Sequence, residues 1–175
     1  MTRPARFQNI NSLDGMPQLK PDARGRGQCQ PYMGTACSSY VGNEYVYISE
    51  SLTQNYIEQK LTSAFSVISK SPNLSEECSS YAFYAVCLST FPLCDRNTEK
   101  PRKMCREECE LLEDKICRKE LAIARQFDML DQQMALPVCH ELPAIGTPEA
   151  ATCVHMGVPQ AQQVWPLAHF FPYAF

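Results

Sequence analysis

Apolar positions along this chain recur with a helical period in three stretches, with turn-rich and irregular segments around them. Ile57, Leu61, Ala64, Phe65 and Ile68 fall at i, i+4, i+7, i+8 and i+11, which is one face of an amphipathic helix. Ser51-Leu52-Thr53-Gln54 ahead of it has capping-box spacing, and Pro72-Asn73 ends it. A second helix is predicted with Ser75 as N-cap and Glu76 and Glu77 in the first turn, where the helix dipole favours acids. It runs through Tyr81, Ala82, Ala85 and Val86 and stops at Phe91-Pro92. Pro101 suits the first position of a third and longest helix. There Cys105, Cys109, Leu112, Ile116 and Cys117 share a stripe, while Glu107, Glu108, Glu110, Asp114 and Lys115 face outward. Arg118 to Leu130 continues it with Leu121, Ile123, Ala124 and Phe127. Between Tyr40 and Ile48, β-formers flank Gly42-Asn43, which predicts a short hairpin. Pro137 opens an irregular finish through Cys139, Pro143, Pro148 and Cys153. Residues 1–28 carry neither period and read as a disordered linker. The pattern predicts a mostly α chain with a small β element.

Composition changes the picture through one residue type. The chain has 10 cysteines in 175 residues, all between Cys29 and Cys153. That density belongs to a disulfide scaffold in an oxidising compartment. Sixteen basic and 19 acidic residues are interspersed for a net charge of −3, which argues against nucleic acid as a partner. No apolar run approaches the ~20 residues of a membrane helix. Val164 to Phe175 is the longest, and Pro166, His169 and Pro172 interrupt it. Met1 to Asn9 has positive charge but no apolar segment behind it, so no signal peptide is visible. The expectation is an incomplete piece of a larger exported protein.

Three chemistries compete for the cysteines. Zinc wants Cys-x2–4-Cys pairs with a second pair or histidines at finger spacing. The nearest approach is Cys105-x3-Cys109, on a predicted helix, and the only histidines are His140, His155 and His169. A redox Cys-x-x-Cys is absent. Five disulfides is the remaining reading, and ten cysteines allow about 945 pairings, so spacing does not choose among them. Cys105 and Cys109 lie one turn apart on one helix, where a mutual bridge would be strained, so each is expected to reach a partner elsewhere. No enzyme motif stands out: there is no Gly-x-Ser-x-Gly, no His-Glu-x-x-His, and His140 beside Glu141 reads as a surface pair.

The order of the residues carries a resemblance. The ten-cysteine order, Cys87-Leu88-Ser89-Thr90-Phe91-Pro92-Leu93-Cys94, and Pro101-Arg102-Lys103-Met104-Cys105-Arg106-Glu107-Glu108-Cys109 followed by Cys117 resemble the Frizzled-type cysteine-rich domain. Cys29-Gln30-Pro31-Tyr32-Met33-Gly34-Thr35-Ala36-Cys37, Ala64-Phe65-Ser66-Val67-Ile68 and Pro148-Glu149-Ala150-Ala151-Thr152-Cys153 are similar to one branch, the receptor tyrosine kinase-like orphan receptors of the Ror family. The resemblance implies a disulfide-rich helical bundle with a short β element over residues 29–159, with 160–175 an out-of-family tail. Carried over, it implies bridges Cys29–Cys94, Cys37–Cys87, Cys78–Cys117, Cys105–Cys153 and Cys109–Cys139.

It also implies a role: extracellular recognition of Wnt proteins at the plasma membrane by a Ror-type receptor, with a Frizzled-type co-receptor as a further partner. By the same resemblance an acyl groove would be lined by Ile57, Leu61, Ala64, Phe65, Ile68, Leu121, Phe127 and Leu130, although an apolar helical stripe normally packs inward as core. A bound fatty acid is then the one candidate ligand, and no metal or other cofactor is expected. The kinase of the parent family is absent from this chain, which has no Gly-x-Gly-x-x-Gly loop and no Asp-Phe-Gly. Asn43-Glu44-Tyr45 is not a glycosylation sequon, whereas Asn73-Leu74-Ser75 is one. The alternatives are a fatty-acid or sterol carrier domain, and a soluble decoy for Wnt.

Overall fold

Among the described residues, four short strands and five α-helices are tied together by five cystines. The computed structural model describes residues 26–126 and 138–159. In chain order the elements are β1 (Gly27–Pro31), α1 (Ser38–Val41), β2 (Tyr45–Ser49), α2 (Gln54–Ile68), α3 (Glu76–Thr90), β3 (Leu93–Asp95) and β4 (Lys100–Arg102), followed by α4 (Arg106–Leu111). A π-helical turn, Leu112–Ile116, joins α4 to α5 (Arg118–Gln126), and 3₁₀ turns form at Cys139–Glu141 and Pro148–Thr152. The strands make one antiparallel sheet in the order β1-β2-β3-β4. The result is the mostly helical, disulfide-rich class that the apolar pattern predicts.

The second helix forms as its sequence dictates. Ser75 is extended at φ −70, ψ 153, and its hydroxyl accepts from the Cys78 amide at 3.2 Å. The first helix starts later than expected. Thr53, not Ser51, takes the Tyr56 amide at 3.3 Å, and the Ser51 hydroxyl lies 3.3 Å from Ser49. Gln54 bonds β1 rather than closing a capping box, donating to the Pro31 carbonyl at 2.9 Å and accepting from Met33 N–H at 3.0 Å. Ile57 and Leu61 face the core with Val41, Val46, Ile48, Leu88 and Phe91. Tyr32 meets Phe91 edge-on with centroids 5.1 Å apart.

Four expectations need correction. The hairpin over 40–48 loses its first arm, because Val41 and Gly42 donate to Cys37 and Ser38 carbonyls and close a helical turn that buries Val41. Asn43 adopts the positive φ of 67° in the turn, and β2 pairs with β1 instead. Gly27 and Gln28, at the end of the expected linker, belong to that strand opposite Ser49 and Ile48. Pro101 starts no helix: it sits in β4 opposite Cys94, on the sheet's edge, where a missing N–H is tolerated. The long third helix is interrupted, since the Cys117 amide donates to Leu112 five residues back at 2.8 Å.

The bridges join Cys29–Cys94, Cys37–Cys87, Cys78–Cys117, Cys105–Cys153 and Cys109–Cys139. They tie β1 to β3, the start of α1 to α3, α3 to the end of the π turn, and the N-cap and body of α4 to the chain after residue 138. Phe127 and Leu130, Trp165 and the rest of 160–175, and residues 1–25 lie outside the described residues.

Candidate ligand-binding surface

The six described residues of the expected groove do not share one environment. Ile57, Leu61 and Leu121 are 2%, 0% and 8% exposed, and an open groove has no use for side chains already sealed in the core. Ala64, Phe65 and Ile68, on the later turns of α2, are half-buried. The Phe65 ring abuts Phe83 of α3 edge-on at 4.8 Å and 87°. Tyr40 of α1 stacks on Tyr84 of α3 at 5.1 Å and 18°. Tyr81, Ala82, Phe83, Tyr84 and Val86 are each half-buried, so α3 is apolar on more of its circumference than the core covers. Two aromatic pairs therefore stay partly accessible, Phe65–Phe83 where α2 meets α3 and Tyr40–Tyr84 where α1 meets α3. The sequence periodicity marks Phe65 on α2. It gives no signal for Phe83 or Tyr84, because α3 has no single apolar face.

Beside the early turns of α2 lies a wider, more polar recess of about 680 Å³, bordered by Met33, Gly34, Gln54, Glu58 and Thr62. Glu58 organises its wall. Its carboxylate accepts from the Tyr32 hydroxyl and from the amides of Thr35 and Ala36 at 2.8 and 2.9 Å. Tyr32 in turn accepts from Cys37 N–H at 2.8 Å. Burial, and then the bond to Glu58, push the Tyr32 phenol well above its ordinary pKa of 10.0. A Cβ at Gly34 would sit 2.2 Å from the Glu58 carboxylate, so a larger residue there would push that carboxylate off the amides it holds. Met33 projects from the braced loop, 80% exposed.

Glu108 departs furthest from its sequence reading. Expected on the outer face, it is 1% exposed. Its carboxylate accepts from three successive amides, Met156 at 2.6 Å and Gly157 and Val158 at 3.0 Å each. A buried carboxylate needs such donors, and the turn at Gly157, with φ 79°, supplies them. Nothing in the sequence pattern around Glu108 distinguishes it from Glu107 or Glu110. Among the described residues, donor atoms of Cys105, Cys153 and His155 lie within 4.8 Å of one another. Both sulfurs are joined in a cystine, so neither is a thiolate that could ligate a metal. Asn73 is exposed in the turn before α3, a position open to a glycan.

No helix among the described residues is long and apolar enough to cross a membrane. A family model described as the Fz domain matches residues 29–154, the span enclosed by the five bridges. The chain is also similar to the tyrosine-protein kinase transmembrane receptor Ror of Drosophila melanogaster, at 24% identity over 195 aligned residues. That alignment covers 75% of this chain and 28% of the receptor, so the chain spans less than a third of its relative's length.

Proposed function

This chain belongs to the Fz domain family, and from that premise we propose that it is the extracellular ligand-binding module of a Ror-type receptor, recognising Wnt proteins. The observation that carries the reading is the half-buried Phe65–Phe83 pair between α2 and α3, set on a domain of the matched family. Accessible aromatic rings held by a rigid scaffold are favoured contact points for a protein or acyl partner, because they bury large area at little entropic cost. The five cystines fix that scaffold, so binding needs no folding step. On this reading Phe65 and Phe83 contact the partner, including its acyl chain, while Ile57, Leu61 and Leu121 only support them. The kinase named in the Drosophila relative is a property of that longer protein.

The test is binding of the immobilised chain to an acylated Wnt, with Phe65→Gln alongside. Wild type should bind, and Phe65→Gln should weaken binding at least ~10-fold, as expected for a contact at the centre of an interface. Because Phe65 is only half-buried, its loss should cost about 1–2 kcal/mol of stability, not the ~3–5 kcal/mol of a core phenylalanine. A Phe65→Gln chain that binds Wnt as wild type does would remove the Phe65–Phe83 pair from recognition. Failure of the wild type to bind, with a stoichiometric fatty acid recovered by solvent extraction, would favour the carrier reading instead.

A further inference from the structure

We propose that the Cys105–Cys153 cystine is a thiol-exchange site, opened by a small-molecule thiol with His155 as proton donor to the departing sulfur. The argument rests on three features that converge on this bridge. His155 Nδ1 lies 3.5 Å from Cys105 Sγ, within reach of a proton transfer. The Glu108 carboxylate lies 3.9 Å from the same nitrogen, so an imidazolium formed there has a counter-charge. A recess of about 230 Å³, bordered by Cys105, Cys153, His155, Glu107 and Ile145, brings solvent volume to the bridge and is large enough for a small thiol. An imidazole is the side chain best suited to exchange a proton near neutral pH.

Exposure decides the direction of attack. Cys153 is 9% exposed and Cys105 1%, so an incoming thiolate reaches Cys153 first. The thiolate adds to Cys153 Sγ along the S–S axis, and the S–S bond breaks. Its electron pair goes to Cys105 Sγ, which takes the proton from His155. The products are a mixed disulfide on Cys153 and a free thiol on Cys105, and the proton lost by the attacking thiol returns through solvent to the neutral His155 ring and restores the imidazolium. A second equivalent of thiol displaces the mixed disulfide, leaving two cysteine thiols and one oxidised thiol pair. The charged groups facing His155 and this bridge are Glu108, held by its three amides, and Glu107, which accepts from Ile145 N–H at 2.7 Å. Exposure alone predicts a different order of opening, because Cys29 and Cys94 are both half-exposed, and no imidazole among the described residues is recorded against them.

The experiment uses the full chain in native buffer with limiting 2-mercaptoethanol, quenched at intervals with an alkylating reagent and mapped by peptide mass spectrometry. Cys105 should be alkylated first and the mercaptoethanol adduct should appear on Cys153, before any label on the other eight cysteines. His155→Gln should slow that step at least ~10-fold, the low end of general-acid contributions, with the melting temperature and the opening of Cys29–Cys94 unchanged. Opening of Cys29–Cys94 ahead of Cys105–Cys153 would overturn the proposal. So would label spread over all ten cysteines at once, or an unaltered rate in His155→Gln.

Discussion

A single carboxylate can decide a local fold, and Glu58 and Glu108 both do so by collecting backbone amides from a distant segment. Neither was legible in the sequence. Hydrophobic periodicity marks which residues are apolar and inside, but it assigns every acid to the outer face by default, and an acid buried by its bonds leaves no trace in the pattern. Tyr32 shows the consequence for pH. Its phenol titrates above 10.0 in the fold and near that value in the unfolded chain, so folding favours the protonated form. The stabilisation is complete below 10.0 and declines as pH rises above it, while the unfolded chain loses its proton first. Tyr32→Phe should therefore flatten the fall in melting temperature above pH ~10 relative to wild type, at some cost in stability at neutral pH from the lost bond to Glu58. Parallel alkaline profiles for the two proteins would show that Tyr32 is not the titrating group.

At the scale of elements, the sequence was most informative where local chemistry alone sets the structure. Ser75, Glu76 and Glu77 place the start of α3, and the i, i+4, i+7 spacing of Ile57, Leu61 and Ala64 places the body of α2. It misled where tertiary pairing chooses between two local options. Proline suits the first turn of a helix and an edge strand equally, and only the neighbour β3 settles Pro101 in the latter. The hairpin that results is closed by an Asx turn: Asp95 accepts from the Asn97 amide and the Thr98 hydroxyl, both at 2.9 Å. Glu99 completes the turn at φ 52°, a conformation a residue with a Cβ adopts at a cost. Glu99→Gly should raise stability by about 0.5–1 kcal/mol, read as a shifted denaturant midpoint at constant slope. A decrease would mean that the Glu99 side chain stabilises the turn by more than its backbone strain costs.

For the whole molecule, the fold class followed from cysteine density and helical period, whereas the pairing of the cysteines followed from the family resemblance alone. Spacing left about 945 combinations, and no helix geometry reduces that to one. The bridges span 65, 50, 39, 48 and 30 residues, and each contributes roughly 3–4 kcal/mol by restricting the unfolded chain. A domain's net stability is only about 5–15 kcal/mol, so the five together exceed it. Complete reduction should unfold residues 29–153, seen as loss of the far-ultraviolet helix signal and of a cooperative melt. An unchanged spectrum in excess reductant would mean that the apolar core alone holds the fold.

The amides that Glu108 gathers also set how the domain carries mechanical load. Tension applied to the chain beyond residue 159 meets the carboxylate at Met156, Gly157 and Val158 first, then the Met104–Val154 bridge, and then the Cys105–Cys153 cystine. All three fastenings lead into α4 and the residues just before it, so the pull is delivered to one end of a short helix. None of the three fastenings is made by α2, which carries Phe65. The domain can thus be tethered and tugged from its C-terminal side while its aromatic surface keeps its shape.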